Sequence, residues 1–454
     1  MRSIMLAALL CACSPPPRLA DSVDTARLGA HLDALQQIAD DNEGNRAAFS
    51  QGYRASVDYV RNQLEQHGYA VREQEFTVEI RSVTSASLRR VEPDEHTYAY
   101  ADSEGTGFVA WRGSPTSRVT DNIVAVDVMV PPPSERNTST SGCEASDFAE
   151  FPTGSIALIQ RGSCTFEVKV NQAIKAGASA VIIFNEGQPG RTEWIRASLP
   201  LSAPPSVPVL GMSYLAAEEL VQLSAEGPVR LAVAVEANVQ HLRDVNLIAE
   251  TERGDKDRVV LMGAHLDSVP EGPGINDNAS GSALVLETAI LMAESRIRPR
   301  NKVRFAWWGA EEIGLVGSAA YVREHGGDEM AYLNFDMVGS LHGRPMHYAG
   351  TTASTDPDEI SDEGLAIREE LTEWFDDNSV EHQAIGSFFS SDILGFLERG
   401  VPSGGLFTGA VSPQDDCYHK VCDTRDNVND ELLRQMTAAA SHAVQELADR
   451  EQHL

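Results

Sequence analysis

The feature that most constrains the fold is the texture from Val245 onward, where short apolar runs alternate with longer segments of helical periodicity. Val259-Val-Leu-Met-Gly-Ala264 reads as a buried strand, Ser280 to Met292 as a helix, Val303 to Trp308 as a strand and Tyr332-Leu-Asn-Phe335 as another. Strands alternating with helices of this length predict an α/β fold with a three-layer α/β/α sheet. Asp415 to Asp430 reads as loop and Glu431 to Leu447 as the closing helix.

The chemistry sits where those strands end. Ligands of open α/β sheets bind outside the carboxyl ends of the strands, and here those ends read His265-Leu-Asp267, Glu311-Glu312 and Asp336. Between the first two lies Gly274-Ile-Asn-Asp277-Asn-Ala-Ser-Gly281, a glycine-bounded turn that presents Asp277 just before a helix. Cys417-Tyr418-His419-Lys-Val-Cys422 follows near the end of the chain. Histidines and carboxylates converging at strand ends make up a metal-site composition, since zinc accepts imidazole nitrogen and carboxylate oxygen. An isolated acidic pair such as Glu311-Glu312 is more often plain surface, and it is the family resemblance of the motifs around it that gives this pair its weight. His325, His342, His347 and His382 lack such a context and read as structural or solvated, and Trp307-Trp308 as sheet core.

Upstream, Leu28, Leu32, Leu35 and Ile38, then Tyr53, Val57, Val60 and Leu64, recur at helical intervals. Gly68 closes the second helix, and Tyr69 to Val78 reads as a strand. Arg89 to Asp102 is polar and of unassigned type. From about Gly105 to Ala237 the texture changes to short β-branched runs broken by Gly and Pro, as expected of a β-rich insertion. The first twenty residues read as an export signal: Arg2, an apolar run from Ile4 to Cys11, then a proline-containing spacer from Ser14 to Arg18. Leu10-Cys-Ala-Cys13 resembles a bacterial lipobox with Cys13 as the lipidated residue; the alternative is a plain secretory signal that is discarded. No later segment reaches the ~20 apolar residues of a membrane span.

Export places the chain where disulfides persist. Cys143, Cys164, Cys417 and Cys422 allow three pairings, and their spacing favours Cys143 with Cys164 and Cys417 with Cys422. A cysteine-ligated metal lacks C-x-x-C spacing. At 454 residues, the length prior is about three domains or two plus insertions. With 36 Lys plus Arg against 67 Asp plus Glu, a net charge of −31, a nucleic-acid partner is not expected.

Two resemblances follow. Ile156-Ala-Leu-Ile-Gln-Arg-Gly-Ser-Cys-Thr-Phe166, Lys169 to Ala176, and Gly177-Ala-Ser-Ala-Val-Ile-Ile-Phe-Asn185 resemble the protease-associated domain, which implies a lid or substrate-presenting role. His265-Leu-Asp267, Asp277-Asn-Ala-Ser-Gly281, Trp308-Gly-Ala-Glu311-Glu312-Ile-Gly-Leu-Val-Gly-Ser318, Asn334-Phe-Asp336-Met-Val-Gly-Ser340, Gly404-Gly-Leu-Phe-Thr-Gly409 and Cys417-Tyr418-His419 resemble, in order, the secreted bacterial leucyl aminopeptidases with two co-catalytic zincs. The expected organisation is a signal and spacer over 1–20, an N-terminal part of the peptidase domain over 21–104, the insertion over 105–238 and the catalytic domain, of zinc-exopeptidase type, over 239–454.

The second resemblance implies two Zn²⁺, with His265 and Asp336 on one, Glu312 and His419 on the other, and Asp277 bridging. It implies Glu311 as general base for the bridging water, Tyr418 as donor to the oxyanion, and Asp267 as acceptor of the free ring N–H of His265. It also implies a non-proline cis bond between Asp277 and Asn278. Where close relatives carry Arg-Ser-Asp-His, this chain reads Ser390-Ser391-Asp392-Ile393, which touches specificity and spares every metal ligand. The expected activity is removal of apolar N-terminal residues from peptides with a free N-terminus by an exported or lipid-tethered enzyme, with the oligomeric state left open. A carboxypeptidase is disfavoured by Ser390 in place of an Arg that could grip a terminal carboxylate, and a catalytically dead binding protein by the intact ligand set.

Overall fold

Along the strand Asp255–His265, Val260, Met262 and Ala264 point into one apolar core while Leu261 points into another. The strand Asn301–Trp308 does the same, with Val303, Phe305 and Trp307 on one face and Ala306 and Trp308 on the other. A strand's side chains alternate between faces, so a run that is apolar throughout must be covered on both. The helices Thr25–Asp40, Gln51–Gln66, Gly281–Glu294, Asp362–Asp377 and Asp430–Asp449 cover the first face, and Val316–His325 with Leu394–Leu397 the second. The result is the expected three-layer α/β/α arrangement, with Trp307 and Trp308 fully buried in its two cores.

The computed structural model describes residues 18–102, 104–197, 204–352, 360–386 and 391–451. Cys13 and Ser390 lie outside them, as do the export segment and most of the spacer. The chain forms two compact units, one running through Phe76 and resuming at Asp244, the other spanning Thr77–Arg243. Residues 77–104, read from sequence as peptidase domain, belong to the second unit. Much of that stretch continues the strand Val71–Glu92, in which Phe76, Val78 and Ile80 alternate with polar residues and Leu88 is the next buried apolar residue.

In the first unit four strands run parallel in the order Ser403–Phe407, Ala331–Phe335, Asp255–His265, Asn301–Trp308. The C-terminal half of Arg230–Glu250 adds antiparallel to Asn301–Trp308, and Met346–Gly350 adds antiparallel to Ser403–Phe407. Four consecutive parallel strands bring four carboxyl ends to one edge. Trp308 pairs with His265 and Phe335 with Leu406, so these ends are level.

The second unit has its own parallel set, Ser117–Val126, Ile156–Gln160, Ala180–Phe184 and Val209–Met212, with helices Phe166–Lys175 and Tyr214–Glu226. It is therefore α/β in local texture as well as rich in strands. Both disulfides expected from spacing are present, Cys143–Cys164 and Cys417–Cys422. No helix among the described residues is long and apolar enough to cross a membrane.

Candidate metal centre

Each strand end contributes to one cluster. His265 is the last residue of its strand, Glu311 and Glu312 follow Trp308 by a short turn, and Asp336 directly follows Phe335. Asp277 lies in the turn before the helix Gly281–Glu294. That turn needs its glycines: Gly274 has φ +63°, and a Cβ on Gly281 would lie 2.2 Å from the Phe335 carbonyl oxygen. The Asp277–Asn278 peptide bond is cis.

His265 Nε2 lies 3.3 Å from Asp277 Oδ1 and 3.3 Å from Asp336 Oδ1. His419 Nε2 lies 3.2 Å from Asp277 Oδ2 and 3.0 Å from Glu312 Oε2. Asp277 thus divides its two oxygens between two imidazole–carboxylate pairs. Within each set of three, the donor atoms lie within 4.8 Å of one another. Donors bound at about 2.0–2.2 Å to a tetrahedral zinc stand roughly 3.3–3.6 Å apart, so each set has the chemistry and spacing of a zinc site. One further oxygen, Glu312 Oε1, is buried without a hydrogen-bond partner.

The electrostatics agree. Burial, with Glu312, Asp392 and Asp336 nearby, holds Glu311 well above the ordinary glutamate range. Burial and Asp277 push Glu312 up to about 8. The two imidazoles move so as to keep their protons against the effect of burial. For His265, Glu311 and Asp336 raise the pKa; His419 is raised to about 10 through its hydrogen bonds to Asp277 and Glu312. A cation held between nitrogen and carboxylate would offset the same concentration of negative charge that raises these imidazoles.

Asp267 sits differently from expectation. Its backbone carbonyl oxygen is 3.1 Å from His265 Nδ1, whereas its carboxylate is 3.8 Å away. The carboxylate instead accepts the backbone N–H groups of Glu311 and Glu312, at 3.1 and 3.3 Å. Asp267 is fully buried and ties one strand end to the next. Tyr418 is 36% exposed, with its ring stacked on that of His419 at 3.8 Å between centroids.

Several supporting residues carried no sequence signal. Asp423 accepts the backbone N–H groups of Asn276 and Asp277, each at 2.9 Å. Asn427 donates to Asp423 and Asp415, and Asp415 accepts the N–H of Cys417 at 2.8 Å, so the turn bearing Asp277 and the loop bearing His419 share one network. Burial lifts Asp423 to about 6. Arg46 is fully buried and donates to the carbonyl oxygens of Leu266, Pro273 and Gly274. Ser391 donates to Asp336 Oδ2 at 2.7 Å. Ile393 is fully buried in the second apolar core with Trp308, Tyr321 and Phe396.

The match to known proteins decides the family: residues 246–444 fit the model of Peptidase family M28, and residues 119–220 that of the PA domain. An aminopeptidase of Pseudomonas aeruginosa is 40% identical over 443 residues, covering 92% of this chain and 80% of that protein. This chain belongs to peptidase family M28. The probable lipoprotein aminopeptidase LpqL of Mycobacterium tuberculosis is 34% identical, over 94% of this chain and 85% of its own length. Among solved structures, the aminopeptidase from Aneurinibacillus sp. strain AM-1 superposes with a TM-score of 0.67 at 25% identity, covering 96% of this chain and 97% of that one. As an M28 peptidase the chain is a hydrolase, and its metal-site composition is that of a zinc exopeptidase.

Proposed function

We propose that this M28 peptidase is an exported di-zinc aminopeptidase that removes N-terminal, apolar residues from peptides. The observation that carries the reading is the placement of Asp277, which gives one oxygen to each of two imidazole–carboxylate pairs while Glu311 stands beside them without belonging to either pair. His265, Asp336 and Asp277 would hold one zinc, and Glu312, His419 and Asp277 the other. When bound, the ions lower the pKa of water and polarise the scissile carbonyl.

The protein's own groups do the rest. Glu311, 9% exposed with Oε2 4.0 Å from His265 Nε2, takes the proton of the attacking water and returns it to the leaving nitrogen, which departs as a neutral amine. The Tyr418 hydroxyl donates to the oxygen on which negative charge develops. The Asp267 carbonyl accepts His265 Nδ1–H and so fixes the tautomer that turns Nε2 toward the carboxylates. The acidic excess of the site favours the ammonium end of a peptide over its carboxylate end. Export, with Cys13 as a lipid anchor, is supported by the lipobox-like segment and by the lipoprotein named among the relatives.

The test is hydrolysis of leucine anilide and its N-blocked counterpart by residues 21–454, with zinc counted by elemental analysis. Cleavage of the free-amine substrate alone, abolished by chelation and restored with two zinc per chain, is expected; cleavage of the blocked substrate, or full activity with one zinc, would overturn the reading. Tyr418→Phe is expected to lower kcat on the same anilide about 10²-fold with KM nearly unchanged, the effect of one lost oxyanion donor. A rise in KM with kcat preserved would move Tyr418 to substrate binding.

A further inference from the structure

Lys169 of the second unit is fully buried on the helix Phe166–Lys175, where a charged ammonium requires a counterion or a full set of acceptors. Its Nζ donates to the Ser141 carbonyl at 2.5 Å and lies 3.6 Å from Sγ of Cys143. The acids that surround it are engaged elsewhere. Glu186 is paired with Arg191 at 2.5 Å and accepts the Asn137 N–H, Asp147 accepts the Glu144 N–H, and Asp127 accepts the Thr140 hydroxyl. Burial without a direct carboxylate partner pulls the ammonium down to about 8. The atom beside it that can become an anion is the Cys143 sulfur, and that sulfur is half of the Cys143–Cys164 disulfide. The Ser163 hydroxyl, 3.7 Å away, is a second polar contact to the same sulfur.

We propose that Cys143–Cys164 is a site of thiol–disulfide exchange with a defined polarity, in which Lys169 makes Cys143 the leaving sulfur. The thiolate of an external dithiol attacks Cys164 Sγ. The S–S bond breaks, its electron pair leaves on Cys143 as a thiolate beside the Lys169 ammonium, and a mixed disulfide remains on Cys164. The dithiol's second thiolate then releases Cys164 as a thiolate that takes up a proton from water; the protein disulfide gains two electrons and the dithiol is oxidised to its cyclic disulfide. A leaving thiolate of lower pKa departs faster, and a neighbouring ammonium lowers it. Among the described residues no hydrogen bond joins a cation to either sulfur of Cys417–Cys422, and the exchange is expected first at Cys143–Cys164.

The experiment uses the full exported chain with dithiothreitol, and glutathione as the trapping monothiol, read by mass spectrometry of alkylated peptides. Cys143–Cys164 should open first, glutathione should be found on Cys164 in large excess over Cys143, and Lys169→Met should slow opening at least tenfold while Lys169→Arg stays within a few-fold of wild type. Trapping on Cys143, or an unchanged rate in Lys169→Met, would overturn the proposal. Because a methionine there could disturb the fold, the Cys143 thiol is also titrated in Cys164→Ser by its rate of alkylation against pH. A pKa at least one unit below the ordinary thiol value supports the assignment, and an ordinary or raised value refutes it.

Discussion

Glu311→Gln is expected to lower kcat for leucine anilide about 10³-fold, within the range of a lost general base, while zinc content is unchanged. Such a loss corresponds to ~4 kcal/mol of transition-state stabilisation. The substitution is close to isosteric and leaves the backbone N–H of residue 311 on the Asp267 carboxylate, so the strand-end scaffold stays in place. Neither imidazole–carboxylate set that shares Asp277 includes Glu311. A carboxamide cannot accept the proton of the attacking water, so chemistry is lost and the donor sets are kept. The contrast is Glu312→Gln, whose carboxylate lies 3.0 Å from His419 Nε2 and belongs to a donor set; there metal content should fall together with activity. Elemental analysis and steady-state rates on both variants separate the two roles. Activity of Glu311→Gln within tenfold of wild type would remove Glu311 as the base.

The cluster of acids and histidines was legible because strand ends concentrate chemistry, whereas the proposed division of roles between Glu311 and Glu312 came only from the resemblance to the aminopeptidases. Val259 to Ala264 and Val303 to Trp308 are apolar enough to announce buried strands, and the acids and histidines just beyond them stand out against that background. Asp267 shows where such reading stops. Its position after a strand end marks it as part of the site, but whether its carboxylate or its carbonyl faces His265 depends on the backbone path of the turn, and that path is set by packing against Glu311 and Glu312. Asp415, Asp423 and Asn427 lie in a segment that reads only as loop, because their partners are backbone N–H groups and side chains far along the chain, such as Asn276 and Asp277. The polar stretch Arg89 to Asp102 was obscure for a similar reason: its first residues finish the strand Val71–Glu92 beyond Leu88, where no further apolar residue of the strand is buried to mark the pattern.

Arg46 is the clearest example, and its removal gives the second large effect. A lone arginine between two amphipathic helices has no sequence context to separate it from a surface residue, yet it is fully buried beneath the metal centre. Its guanidinium donates to Pro273 at 3.0 Å, to Gly274 at 2.7 Å and to Leu266, and its backbone N–H donates to the Ser268 hydroxyl at 2.9 Å. It therefore clamps the two segments that carry His265 and Asp277. Burial lowers its pKa to about 10, opposed by Asp267, Asp423, Asp277 and Glu312, so it remains the fixed cation beneath a group of acids. Arg46→Met keeps the apolar stem and leaves three carbonyl oxygens without this donor, at about 1–3 kcal/mol for each one left unsatisfied. Relaxation and water entry recover part of that, and a net loss of ~3–5 kcal/mol is expected, the size found when one partner of a buried charged network is deleted. Zinc affinity should fall 10–100-fold, as for other residues that orient ligands without binding the ion. Urea denaturation of the chelated enzyme measures the first and competition with a chromogenic chelator the second. If Arg46 only filled space, methionine would fill most of it, and a stability within ~0.5 kcal/mol of wild type with unchanged zinc affinity would show that. A loss confined to the metal-free enzyme, with zinc affinity intact, would instead mean that Arg46 supports the fold and leaves the aim of Asp277 to Asp423.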